Sequence, residues 1–325
     1  QNPINFFTNY RFLKNEKFEF LKKINSILNS QLSISSIDNY LLKESKFNKL
    51  RLYRLLVYLQ KYVFSYQLRC SKETFNLFRD ENKEIKFFEE KIYKIKDKHS
   101  QKRIAILGPL DDIKDFNKEL KDFDELLIIN PSNKFDFENY PNTEFSFFFR
   151  TPSIEALENK KFSPPSISAK FIILERKTNK YLFAKQTNKA EFQIINNSRL
   201  INNNFLLGKL NAIQSVICHL IQMGYRDIGI YGCDLFLTSR IKNKRKDYAP
   251  YQKEEIIFLK KLQNNNQEYF QFVCHDPYIN FMILKILYKS NIIKPYKKLS
   301  RILNLNYKEY LIKLEDSIKD KILNI

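Results

Sequence analysis

The sequence predicts an α/β fold, in which a Rossmann-like parallel sheet is flanked by helices, with an N-terminal helical region and C-terminal closing helices. Three observations predict it. Short apolar runs of strand length alternate with helix-like segments after residue 100. Residues 210–234 combine a helical apolar stripe, a glycine and a strand, which together make half of a βαβ crossover. All five glycines lie between 108 and 232, where the backbone must turn sharply or approach a ligand.

The first hundred residues are predicted to be helical. They contain no glycine, and leucine recurs at helical spacing between residues 52 and 59. The pattern changes at Arg103, where a short apolar run stops at Gly108-Pro109. Such a run is typical of a buried strand that leads into a turn.

The remaining elements follow in chain order. They are a helix over 111–122, strands over 125–130, 145–149 and 171–174, a helix from 210 with Gly224 as its C-cap, a strand over 228–234, a helix over 276–290 and basic amphipathic helices over 296–325. We therefore expect three regions: a helical region over 1–100, a sheet domain over 101–295 and closing helices over 296–325.

Composition and charge restrict the class of protein. The 29 Phe and 19 Tyr residues among 325 supply a large core, so the chain is not globally disordered. Lys and Arg outnumber Asp and Glu by 56 to 36, which favours an anionic partner or, equally, a solvated lysine-rich surface. The sequence has no zinc-finger spacing, RNP-like aromatic motif or arginine stripe, so we expect no nucleic acid partner. No apolar run is long enough to span a bilayer.

Several chemistries lack their usual motifs. The four cysteines include no CxxC pair, and three histidines are too few for a His-rich metal site, so we expect free thiols in a reducing cytosol and no metal. GxGxxG, GxxxxGK[ST], HExxH and a convincing Asp-x-Asp pair are all missing. The absence of these motifs argues against a classical dinucleotide site, a P-loop and a zincin.

Polar residues follow three of the predicted strands. In open parallel sheets, ligands bind outside the carboxyl ends of the strands. Those ends carry Gly108-Pro109, the segment 130–133, and the Gly-x-Asp sequence over 232–234. Asparagine both donates and accepts hydrogen bonds, which suits a ribose or a base edge. The alternative is that Asn130 and Asp234 only cap the turns after their strands.

Two parts of the chain resemble a known family. Residues 207–236, which end in MGYRDIGIYGCDLF, and the strands over 103–108 and 124–130 resemble the bacterial sialyltransferases of glycosyltransferase family 42. The resemblance extends over about residues 103–292. It implies a nucleotide-sugar-binding catalytic domain over 101–295, a lid at about 236–272 and a catalytic histidine at the start of a helix. His275 occupies that place in the sequence.

The resemblance implies roles for further residues. His275 would be the general base, while Tyr248 and Tyr251 in the lid would donate to the departing phosphate, without a metal or another cofactor. Nucleotide-binding positions would be Gly108, Pro109, Asn130, Ser132, Asn133, Gly208, Asn211, Gly232, Asp234 and Phe236. Phosphate or sugar carboxylate would be bound by Arg150, Arg240, Lys244 and Arg245.

The expected function is transfer of sialic acid or another 2-keto sugar acid from a CMP-activated donor to a glycan or glycolipid acceptor, as in lipopolysaccharide or capsule synthesis. The enzyme would be cytoplasmic and peripheral on the inner face of the membrane, with its basic helices against anionic lipid. A homo-oligomer is compatible with the sequence. Two alternatives stay open: a non-catalytic basic adaptor that binds nucleic acid or a membrane, and a related enzyme of pterin or nucleotide metabolism.

Overall fold

A computed structural model describes residues 86, 89–95, 101–110, 117–140, 143–150, 163, 165, 167–175, 190–195, 210–238 and 277–323. The chain divides into two compact units, and the first, Gln1–Lys86 with Asn266–Cys274, lies outside the described residues except for Lys86. The elements reported below belong to the second, Phe87–Asn265 with His275–Ile325. Of the predicted N-terminal helices, a helical stretch over 89–93 falls in the described part.

Within the described residues, seven strands form one parallel sheet, which confirms the predicted α/β class with a Rossmann-like sheet. The strands are β1 Arg103–Leu107, β2 Glu125–Ile129, β3 Glu144–Phe149, β4 Phe171–Leu174, β5 Glu191–Ile194, β6 Asp227–Tyr231 and β7 Ile293–Pro295. Their order across the sheet is β5-β4-β3-β2-β1-β6-β7.

The inner strands match the apolar runs in the sequence because a parallel sheet is covered on both faces. Every residue of β2 and β4 is buried, as are the last four of β1 and of β6. The sequence analysis missed β5 and β7, which lie at the two edges of the sheet. The sequence Glu-Phe-Gln-Ile of β5 is partly exposed, and β7 has three residues, the last a proline that suits an edge strand.

The described helices are α1 Asn117–Leu120, α2 Ala212–Met223, α3 Pro277–Lys289, α4 Lys297–Leu303 and α5 Tyr307–Leu323. The predicted C-cap of α2 is confirmed. Gly224 is left-handed, with φ of 105°, and its N–H lies against the carbonyls of Leu220 and Ile221. The predicted helix over 276–290 is α3, and the predicted closing helices are α4 and α5.

Aromatic and aliphatic side chains fill the core around the sheet. Phe147 and Phe149 of β3 are buried and pack edge to face, with ring centroids 6.2 Å apart. Helices α3 and α5 meet through Phe281 and Tyr310, whose rings stack at 4.7 Å. The closing helices are therefore integral to the core of this unit. No helix among the described residues is long and apolar enough to cross a membrane.

The strand order reverses once, and this reversal locates the site. From β1 the chain builds the sheet in one direction as far as β5, and β6 then returns to the other side of β1. The neighbours β1 and β6 form a topological switch point, where the connections leave in opposite directions and a crevice opens beyond the strand ends.

Candidate functional site

Two glycines bring the turns after β1 and β6 into contact. The N–H of Gly108 donates to the carbonyl of Tyr231 at 2.8 Å, and the N–H of Leu110 donates to that of Gly232 at 3.1 Å. A Cβ atom on Gly108 would lie 2.3 Å from the carbonyl oxygen of Gly232, so no side chain fits there. Gly232 is itself left-handed, with φ of +63°. These positions require glycine for backbone packing at the switch point.

A pocket of about 50 Å³ lies over these turns. Its walls come from the carboxyl ends of β1, β2, β3 and β6 and from the first turn of α2. The lining residues are Pro109, Leu110, Ile129, Arg150, Asn211, Ala212, Ile213, Gln214, Gly232, Cys233, Asp234, Leu235, Phe236 and Thr238. This is the place where the topology predicts a ligand site.

The first turn of α2 gives the pocket an electropositive wall. The first N–H groups of an α-helix have no acceptor within the helix, and the aligned peptide dipoles add a partial positive charge there. Asn211, the N-cap residue, makes no side-chain capping bond to the described backbone, and the first turn contains no acidic residue. Such a wall favours an anionic group.

Helix α3 supports the start of α2. The side-chain oxygen of Asn280 accepts a hydrogen bond from the N–H of Asn211 at 2.8 Å. The main-chain oxygen of Asn280 accepts another from Nε2 of Gln214 at 3.2 Å. Since Asn280 belongs to the first turn of α3, the amino ends of α2 and α3 meet beside the pocket.

Asp234 lines the pocket as a buried carboxylate, 3% exposed. Its Oδ2 atom lies 3.0 Å from Nζ of Lys298 in α4. The same ammonium donates to Oγ1 of Thr238, so one lysine holds both ends of the segment after β6. The ion pair offsets the charge of Asp234 at the wall of the pocket.

The segment between these two contacts is strained. Leu235 and Phe236 both have positive φ, 52° and 72°, which costs on the order of 1–3 kcal/mol for each non-glycine residue. Helix α5 holds this backbone: the hydroxyl of Tyr310 donates to the carbonyl of Leu235 at 3.0 Å, and that of Ser317 donates to the carbonyl of Leu237 at 2.6 Å. Burial raises the pKa of Tyr310, so its phenol stays protonated and remains a donor.

Arg150 and Asn130 connect β2 and β3 at the edge of the pocket. Nε of Arg150 lies 3.3 Å from a carboxylate oxygen of Glu175, and its backbone N–H donates to Oδ1 of Asn130 at 3.0 Å. Asn130 is fully buried with φ of 48°, and its own N–H donates to the carbonyl of Phe148. The side-chain oxygen of Asn130 therefore ties the end of β2 to the end of β3.

The structure brings together six of the residues singled out in the sequence: Pro109, Arg150, Asn211, Gly232, Asp234 and Phe236. Gly108 and Asn130 adjoin the lining through the contacts just described. Ser132 and Asn133 do not line the pocket, because their loop turns back on itself and bonds to Ser163. Seven residues lie outside the described part: Gly208, Arg240, Lys244, Arg245, Tyr248, Tyr251 and His275.

No pattern in the sequence predicts that Gln214, Lys298 and Tyr310 contribute to the site. Lys298 and Tyr310 belong to helices for which the basic, amphipathic pattern predicts a lipid-facing surface. The buried positions Tyr307, Tyr310 and Leu314 recur at helical spacing, and this was the available signal that α5 packs inward.

The fold and the pocket together define a class: an α/β protein with a Rossmann-like parallel sheet and a pocket at its switch point. No family model, no curated protein and no solved structure matches the chain. Within the described ranges, no group of three or more His, Cys, Asp or Glu side chains is arranged to hold a metal ion.

Proposed function

We propose that this chain is a sialyltransferase-like glycosyltransferase that binds a CMP-activated sugar in the pocket at the switch point. The observation that carries the proposal is the pocket itself, which joins the turns at Gly108 and Gly232 to the amino end of α2. A nucleoside monophosphate ester is anionic and carries hydroxyl groups. The first turn of α2 suits its phosphate, and Asp234, offset in charge by Lys298, suits a ribose hydroxyl.

The start of α3 supports His275 as the general base that takes the proton of the acceptor hydroxyl. Helix α3 begins at Pro277, and its residue Asn280 is bonded to Asn211 and Gln214 of the pocket. His275 lies two residues before Pro277, a separation that the backbone spans in at most about 7 Å. In this proposal the departing CMP phosphate is stabilised by N–H groups and by lid residues such as Tyr248 and Tyr251.

The proposed setting is the inner face of the cytoplasmic membrane, where a glycolipid acceptor resides. Lys297, Arg301 and Lys313 are exposed on helices whose other sides are buried. Such side chains suit anionic lipid at roughly 1 kcal/mol each near the surface. Co-sedimentation with vesicles containing phosphatidylserine, compared with neutral vesicles, tests this part separately.

The central experiment measures nucleotide binding by the full chain through its melting temperature. CMP at one hundred times its Kd stabilises by about 2.7 kcal/mol, which raises Tm by about 5 °C in a unit of this size. UDP, GDP and ATP should raise it less. If no nucleotide changes Tm and polyanions bind with steep salt dependence, the chain is a basic adaptor instead.

The second experiment measures transfer from CMP-sialic acid to a lactose acceptor. His275→Ala should abolish transfer but retain the Tm shift with CMP, because the base acts on the acceptor and not on the nucleotide. His99→Ala, in the N-terminal region, is the matched control and should keep its activity. Equal activity of both variants would remove His275 from the mechanism.

A further inference from the structure

We infer that Gln214 is a specificity-determining residue of this pocket, whose side-chain carbonyl accepts a hydrogen bond from an amino or hydroxyl group of the bound nucleotide. The inference rests on the proposed nucleotide site and goes beyond it by naming the chemical group that is selected. The 4-amino group of cytosine and the 2′- and 3′-hydroxyls of ribose are the three sources of such a donor in CMP.

The orientation of the Gln214 amide is set by its neighbour. Nε2 donates to the main-chain oxygen of Asn280 at 3.2 Å, and the side chain of Asn280 is held by the N–H of Asn211. A flipped amide would place two carbonyl oxygens against each other. The Oε1 atom of Gln214 is therefore directed away from the main-chain oxygen of Asn280.

That Oε1 atom is buried and has no hydrogen-bond donor among the described residues. Leaving a buried acceptor unpaired costs about 1–3 kcal/mol, so such a group calls for a partner. Three other buried oxygen atoms also form no hydrogen bond with a described residue. Those of Ser146 and Asp227 do not line the pocket, and that of Asp234 is paired with Lys298.

The first turn of α2 therefore presents both kinds of group to one ligand. Its N–H groups offer donors to an anion, while Gln214 in the same turn offers an acceptor. Inorganic phosphate is a compact ion that fills only the position at the N–H groups, whereas a nucleotide bound there can also extend an amino or hydroxyl group to Gln214. The pocket should consequently bind CMP more tightly than phosphate.

The test is a cycle of ligand and protein changes, measured by titration calorimetry on the full chain. The ligands are CMP and three analogues that each lack one donor: UMP lacks the 4-amino group, 2′-deoxy-CMP the 2′-hydroxyl and 3′-deoxy-CMP the 3′-hydroxyl. The variants are Gln214→Met, similar in size but apolar, and Gln222→Met as the control. Gln222 lies two turns later in α2, where its Nε2 donates to the carbonyl of Cys218 away from the pocket.

The original chain should prefer CMP by about tenfold over whichever ligand lacks the relevant donor, the usual cost of one unpaired buried group. In Gln214→Met this preference should fall to less than about twofold, while Gln222→Met keeps it. The ligand whose discrimination disappears identifies the source of the donor.

Three results would overturn the inference: equal binding of all four ligands by the original chain, an undiminished preference in Gln214→Met, or no nucleotide binding at all. Only the last also removes the proposed function. If Gln214→Met does not fold, Gln214→Leu replaces it, because leucine is also apolar and accepts no hydrogen bond. That variant should likewise lose the preference for CMP, and keeping it would be equally fatal.

Discussion

The amino and carboxyl edges of the sheet differ in the ion pairs they bury and in the strain of their backbone. At the amino edge, where the strands begin, Glu125 is fully buried. Its Oε1 atom lies 2.5 Å from Nζ of Lys170 and 3.2 Å from that of Lys102, and its Oε2 accepts from the hydroxyl of Tyr225 at 2.7 Å. Glu144 extends this amino-edge cluster through Lys170 at 3.1 Å. Each carboxylate there has a cation, so the cluster serves stability.

The carboxyl edge also has an ion pair, between Asp234 and Lys298, and Oε1 of Gln214 has no donor among the described residues, as Oδ1 of Asp227 has none at the amino edge. It differs in its backbone, which holds two consecutive left-handed residues, Leu235 and Phe236. Such features persist only where the surroundings enforce them, and they cluster at functional sites. The comparison teaches that this sheet separates the ion-pair cluster around Glu125 from the strained backbone beside the candidate pocket, one at each end of the same strands.

The largest effect is expected at the amino edge. Glu125→Gln keeps the size of the side chain but leaves two lysines without their shared carboxylate. The free energy of unfolding should fall by about 2–3 kcal/mol, below the value for fully buried pairs because both lysines are partly exposed. Urea denaturation measures it, with the exposed Glu191→Gln as control. CMP affinity should not change, and a matching loss of affinity would break the separation of the two edges.

The second-largest effect is expected for Gly108→Ala, which should lower the free energy of unfolding by about 1–3 kcal/mol through overpacking. Its Cβ would meet the backbone oxygen of Gly232, which cannot rotate away, so the turns must separate and CMP binding should be lost. In Gly229→Ala the clash is instead with the ring of Phe123, away from the pocket. That control should lose stability and keep its CMP affinity. Equal affinity losses would mean that the turns at the switch point have no special role.

Lys298→Met should lower the free energy of unfolding by about 1 kcal/mol. The effect is moderate because the lysine is nearly half exposed, although its partner Asp234 is buried. CMP affinity should fall several-fold, since the segment that lines the pocket loses one of its anchors. Lys297→Met is the neighbouring control, since its ammonium lies over the ring of Tyr296 at 5.9 Å and forms no ion pair with Asp234. Lys298→Arg should restore most of the affinity. If both methionine variants bind CMP alike, α4 does not position Asp234.

The smallest effect is expected for Glu144→Gln, which should lower the free energy of unfolding at neutral pH by less than about 0.5 kcal/mol, because this side chain is 56% exposed. The hydrogen bond from Lys170 lowers the pKa of Glu144 below its ordinary value. A lowered pKa stabilises the folded state at pH above the unfolded value, and that contribution disappears as the pH falls through the folded value. The variant should therefore show a slightly flatter loss of stability below about pH 4.5. An unchanged acid profile would contradict this.

Local patterns predicted the framework of the fold and part of the site. The apolar runs identified β1 and β2 with their boundaries almost unchanged, and the glycines at 108 and 232 marked the turns that meet. These features are local, since burial on both faces and tight backbone approach both restrict which residues are used.

The supports of the pocket could not be predicted in the same way. Lys298 and Asp234 are far apart in the chain, and no pattern around either one shows that they pair. Gln214 looks like an ordinary polar residue of an amphipathic helix until Asn280 is seen to hold its amide. The edge strand β5 lacks an apolar run because a strand at the edge is not fully covered.

The place of β1 between β2 and β6 has a consequence for how this sheet forms. Ile104 pairs with Glu125 on one side, 21 residues later, and with Ile228 on the other, 124 residues later. Closing the longer loop costs roughly 1.6 kcal/mol more chain entropy than closing the shorter one. We therefore expect the pairing of β1 with β2 to precede that with β6 during folding. A small molecule that contacts the ends of both β1 and β6 would then slow unfolding and leave the earlier steps of refolding unchanged.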